Sequence, residues 1–121
     1  MSYVEIIPKS KKAEEILLEN KEKIFDGIGQ CILDVFRIPE TDMILELHRC
    51  TVIATDERAV RLESAPDVVI KLSTSDMEFK EKAEELSDRI VDSWNNILGK
   101  AVTMELWIRF FHTWGCNIDF D

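Results

Sequence analysis

An α+β fold, in which two β-α-β units build a four-stranded sheet carrying two helices on one face, is what this sequence predicts. Three observations support it. Short strand-like runs stand at residues 3–7, 43–50, 67–72 and 103–111; apolar residues recur at steps of three and four in the two long stretches between them; and the strand-helix-strand order occurs twice, over about residues 2–54 and 67–111.

In the first strand, Val4 and Ile6 share one face and Tyr3, Glu5 and Ile7 the other, and Pro8, which has no N–H to donate, ends it. Ser10 then caps a helix whose stripe runs through Ala13, Ile16, Leu17, Ile24, Ile28, Cys31, Ile32 and Val35 to about Phe36. The stripe lapses at Asn20 and Lys21, where Asn20 is a candidate second cap, and Gly27 and Gly29 either weaken the helix or let a neighbour pack closely. Residues 37–42 form a turn, since Pro39 turns Ile38 away from helical geometry. The second strand, extending toward Ala54, sets Met43, Leu45 and Leu47 against Ile44, Glu46 and His48. Residues 55–65 read either as a loop or as a hairpin arm through Val60 and Leu62.

The unit repeats. After the third strand, Thr74 or Ser75 caps a helix with a stripe at Phe79, Ala83, Leu86, Ile90, Trp94 and Ile97, stopped by Gly99 as a left-handed C-terminal residue. In the fourth strand Met104, Leu106, Ile108 and Phe110 alternate with Glu105, Trp107, Arg109 and Phe111. The sheet face away from the helices therefore carries apolar and aromatic side chains that should not be left in water.

A length of 121 residues with 45% apolar residues fits one domain spanning 1–121 with a real core. The apolar runs are far shorter than the roughly 20 residues that cross a bilayer, and the start has no leader pattern, so a cytoplasmic protein without membrane contact is expected. A net charge of −9 argues against a nucleic-acid partner, while leaving room for a local site that holds a small anion. Cys31, Cys50 and Cys116 are odd in number and lack CxxC spacing, and His48 and His112 lack HxH or HxxxH spacing, so neither a metal site nor a disulfide framework is indicated. No cofactor is implied.

The strand at the extreme amino terminus, the turn Arg37-Ile38-Pro39-Glu40 and the closing segment Phe110-Phe111-His112-Thr113-Trp114-Gly115 together resemble the tautomerase superfamily. The similarity is greatest to its longer members related to macrophage migration inhibitory factor and covers nearly the whole chain. It implies a homotrimer in which three sheets surround a channel, with pockets where the start of one chain meets the last strand of a neighbour. In such enzymes the amine of an amino-terminal proline, its pKa lowered by an apolar pocket, moves a proton between carbon and oxygen of a keto or enol acid. This chain departs at the central group, with Ser2 at the matching position. Removal of Met1 would expose the Ser2 amine, whose unperturbed pKa of about 7.7 to 8.0 makes it a weak base.

The resemblance further implies that Arg37 and Arg109 bind a small carboxylate and that Tyr3 and Trp107 wall the pocket. Three of the four have a plainer explanation: Arg37 as a charge at a helix end, Arg109 as half of an intersubunit ion pair with Glu5, Glu46 or Glu105, and Tyr3 as packing. Trp94 belongs to the core and Trp114 to a pocket cap or a subunit contact. The functional expectations are a keto-enol tautomerase with its base missing, a non-catalytic ligand-binding or assembly protein of the same fold, or a ferredoxin-like interaction domain.

Overall fold

The computed structural model describes residues 1–111. The chain forms strand β1 (Ser2–Pro8), helices α1 (Lys11–Glu19) and α2 (Lys21–Phe36), strand β2 (Met43–Leu47), a short helix α3 (Glu57–Arg61), strand β3 (Val68–Thr74), helix α4 (Ala83–Leu98) and strand β4 (Met104–Phe110). His112, Trp114, Cys116 and all but the start of the aromatic closing segment lie outside the described residues.

The sheet order is β2-β1-β3-β4. β1 runs parallel to β2 and β3 parallel to β4, while the central pair β1 and β3 is antiparallel. Each unit thus keeps its two strands adjacent, unlike the split units of a ferredoxin-like sheet, and that alternative falls. Alternation then decides the layers. Val4, Ile6, Val68, Ile70 and Leu72 are fully buried beneath Leu17, Ile24, Ile28 and Ile32 of α1 and α2 and Leu86 and Ile90 of α4. Burying one such aliphatic side chain stabilises by about 1.5 to 3 kcal/mol, so this layer holds the fold together.

Ser10 caps α1 as its sequence position predicts, its Oγ accepting from the Ala13 N–H at 3.1 Å. Asn20 does mark a break, but its side chain donates back to the Ile16 carbonyl at 2.8 Å and gives α2 no side-chain cap. The lapse in the stripe is a joint between two nearly continuous helices, bridged by the Ile24 N–H bonding to the Asn20 carbonyl at 3.0 Å. Gly27 serves close approach: a Cβ there would lie 2.5 Å from Ser93 Oγ and 2.9 Å from Ile97 Cδ1 on α4. Trp94 is core as expected, and its indole N–H donates to the Val102 carbonyl at 3.1 Å.

Four local expectations are corrected. β2 stops at Leu47 because among the described residues its one partner is β1, which ends at Pro8; one further bond, from the His48 N–H to the Ile6 carbonyl, closes the ladder. Residues 55–65 form no hairpin arm; they are a loop interrupted by the short helix α3, which starts where Asp56 accepts from the Arg58 N–H at 2.8 Å. The bonds from Arg58 also hold the Asp56 carboxyl below its ordinary pKa. Thr74 lies in β3 rather than capping a helix, its Oγ1 accepting from the Asp76 N–H, and a 3-10 stretch, Met77–Lys82, precedes α4. Gly99 has the positive φ of 67° but an extended ψ of −165°, so it ends α4 without the left-handed helical cap.

Candidate functional site

The register brings one end of the sheet into focus, the end where the chain begins. Ser2 pairs with Met43 on one side and with Thr74 on the other, and Thr74 pairs with Phe110. One residue further in, Ile44, Tyr3, Ser73 and Arg109 form a row across all four strands, on the face away from the helices. The next row on that face is Glu46, Glu5, Lys71 and Trp107. Tyr3, Trp107 and Arg109 therefore share a face, with β3 between Tyr3 and the other two and Tyr3 and Arg109 two strand spacings, about 10 Å, apart.

Arg109 bonds through its guanidinium to Ser73 Oγ at 3.1 Å and is otherwise exposed. Within the described residues no carboxylate of its own chain lies within ion-pair distance of it. Tyr3 is 46% and Trp107 52% exposed. With Ile44 and Phe111 they leave a largely aromatic surface in water, the condition anticipated for this face.

Arg37 stands at the same end, following α2 on the short connection to Met43. Its backbone is left-handed, with φ 54° and ψ 42°, and its N–H bonds to the Leu33 carbonyl at 2.9 Å. The helix end is held by Phe36, stacked on Phe79 with ring centroids 4.4 Å apart, and by the Lys82 ammonium, which donates to the Val35 carbonyl at 3.2 Å. The Arg37 side chain is exposed.

Ser2 points the other way. Its side chain is fully buried on the helix face, and its Oγ has no hydrogen-bond partner. The amine of Met1 lies 3.6 Å from an Asp76 carboxylate oxygen. Sequence reasoning missed Asp76, because its place beside the chain start follows from β3 reaching Thr74 antiparallel to Ser2, a pairing that composition does not reveal.

The structure thus gathers Tyr3, Trp107 and Arg109 on one face and Arg37 at the same end, and sets the Ser2 side chain apart from all of them. Five cavities on the described chain are lined by other residues, the largest, of about 930 Å³, at the opposite end near Lys9, Asp67 and Thr103. His48 lies 3.4 Å from Glu46, and among the described residues no three His, Cys, Asp or Glu side chains cluster as metal ligands would.

No protein-family model and no curated protein matches the chain. Solved structures do. Leishmania major MIF2 is similar at a TM-score of 0.64 and 12% identity, covering 97% of this chain and 94% of that one. A 5-carboxymethyl-2-hydroxymuconate delta-isomerase is similar at 0.64 and 11%, covering 100% and 89%. A fused 4-OT described as an asymmetric trimer is similar at 0.60 and 13%, covering 91% and 86%. At such identities the likeness concerns architecture, and it agrees with the parallel pairing inside each unit and the helices on one face. The chain shares the fold of these structures.

Proposed function

We propose that this chain is a tautomerase-like protein, one domain over residues 1–121, that assembles as a homotrimer and holds a small carboxylate between protomers. Arg37 and Arg109 bind the carboxylate, Tyr3 and Trp107 wall the pocket, and the Ser2 amine, freed by removal of Met1, is the group that moves a proton. In the enol-to-keto direction the amine takes the enol hydroxyl proton as the C=O forms, and the resulting ammonium returns a proton to the alkene carbon next to it, so the amine is regenerated and no proton is gained or lost.

The observation that carries the reading is the row Ile44, Tyr3, Ser73, Arg109, which sets a guanidinium free of any carboxylate partner among the described residues beside exposed aromatics at the chain's starting end. Assembly is supported by that uncovered face and by the two outer strands β2 and β4, each paired on one side only among the described residues. The fused 4-OT supports three as the number.

A second reading, ligand binding without chemistry, draws on the N-terminal amine lying against Asp76 and on serine standing where tautomerases carry proline. Solution mass is the first test: three chains of 14.0 kDa give about 42 kDa, and a monomer or dimer removes the pocket. The second is conversion of phenylenolpyruvate by protein shown by intact mass to lack Met1, beside Ser2→Pro and Arg109→Ala. Activity that rises in Ser2→Pro and falls in Arg109→Ala supports the catalytic reading. Inert protein that still binds phenylpyruvate through Arg109 supports the second, and loss of neither activity nor binding in Arg109→Ala ends both.

A further inference from the structure

A separate cavity of about 330 Å³ lies between α1, α2 and the outer end of β2, away from the chain-start end of the sheet. Its floor is apolar, from Leu18, Phe25 and Leu47, and Lys21, His48 and Arg49 stand around it. In a chain of net charge −9 this gathering of basic groups on an apolar floor runs against the average. The acid on the wall is Glu14, and its carboxylate is already engaged, accepting from the Cys50 N–H at 2.5 Å and facing Lys11 Nζ at 3.9 Å. That bond also ties the backbone next to Arg49 to α1, fixing the base of the guanidinium at the cavity. Among the described residues Lys21 meets Glu22, at 3.9 Å, and His48 meets Glu46 at 3.4 Å. Arg49 has no carboxylate within ion-pair distance among the described residues.

We infer that this cavity binds a small monocarboxylate with an apolar body of about one ring. Its volume sits at the lower end of the roughly 300 to 1,000 Å³ typical of small-molecule sites. The carboxylate lies on the Arg49 guanidinium and the Lys21 ammonium, and the body covers Leu18, Phe25 and Leu47. A planar guanidinium grips a carboxylate through paired N–H donors, and the apolar floor rewards a ligand that an inorganic anion would not match.

The test is an amide-resolved NMR titration of the full chain with sodium benzoate at constant ionic strength, with benzamide as the uncharged isostere. Benzoate shifts residues 18, 21, 25 and 47–49 saturably and benzamide does not. Arg49→Gln weakens binding by about tenfold or more, as loss of a charge-assisted hydrogen bond requires. Leu18→Gln, at an exposed position where folding is not at risk, weakens it several-fold. Arg109→Ala leaves these shifts intact and removes only those near Tyr3 and Trp107, so the two carboxylate sites fail separately. Equal binding of benzamide, unchanged affinity in Arg49→Gln, or no saturable shift at millimolar benzoate would overturn the inference.

Discussion

Replacing Arg37 separates what its backbone does from what its side chain does. At φ 54° and ψ 42° the residue ends α2 in the left-handed region, which costs an L-residue roughly 1 to 2 kcal/mol. Glycine escapes that cost but gives back about 0.5 to 1 kcal/mol through its freer unfolded chain. Either substitution also removes a cation beside the last turn of a helix, a loss of about 0.3 to 1 kcal/mol. Arg37→Ala keeps the strained backbone and loses the charge, so it is destabilised by that last amount. Arg37→Gly loses the charge and the strain together and ends near wild type. The difference between the two variants, about 0.5 to 1 kcal/mol in favour of glycine, isolates the backbone contribution. It corresponds to about 2 to 5 °C in Tm for a chain of this size. Urea denaturation at one fixed protomer concentration measures it, since an assembling protein's stability depends on concentration. Carboxylate binding reports the other half: both variants lose whatever the guanidinium holds. An Arg37→Gly protein no more stable than Arg37→Ala would refute the backbone argument. Unchanged ligand affinity in both would remove Arg37 from the site.

Three further outcomes follow from local geometry. Ser2→Ala raises stability by about 1 kcal/mol in denaturant titration, because it deletes a buried hydroxyl that has no partner. Gly27→Ala and Ser93→Ala are coupled, by about 0.5 kcal/mol or more in a double-mutant cycle, since a methyl at 27 needs the space that Ser93 Oγ fills. Cys31, its thiol pKa pushed up by burial, with Arg89 opposing and Asp34 assisting, alkylates several-fold more slowly than free cysteine near pH 8 in a Cys50→Ser, Cys116→Ser background. The sign for stability is that of a raised pKa: the contribution is whole below the ordinary value of 9.0 and is lost as pH rises through the folded-state value. A Cys31→Ser chain should therefore lose less stability than its parent above that pH.

Much of the architecture was written in alternation. β1 and β3 each lie between two neighbours over helices, so inward positions must be apolar, and the parity of Val4 and Ile6 against Tyr3 and Glu5 was readable without knowing any partner. The same parity put Trp107 and Arg109 on one face. Lengths were less legible, because a strand ends where its partner ends: residues 48–54 alternate like a strand but have no neighbour past Pro8 to pair with. The row joining Tyr3 to Arg109 was illegible for a related reason, since strand order is a long-range property that no local pattern encodes. Asp76 and the Arg49 cavity share that cause, each being assembled from segments whose approach is set by the sheet.

Parity also limits what Ser2 can do. Even-numbered residues of β1 point into the helices, so the hydroxyl is committed to the core with Val4 and Ile6 and cannot be presented to a ligand on the face that carries Arg109. Flipping it outward would shift β1 by one residue, exposing Val4 and Ile6 and burying Glu5. Hydroxyl chemistry at this position is thus closed off by the sheet itself, and any reactivity belongs to the backbone nitrogen. That nitrogen is an amide while Met1 remains and an amine once it is gone. Deletion of the Ser2 hydroxyl should therefore leave any turnover intact, whereas otherwise unaltered protein shown by intact mass to retain Met1 should have none. A chain whose turnover depended on the hydroxyl instead would place the reacting atom on the wrong side of the sheet and break the argument from register.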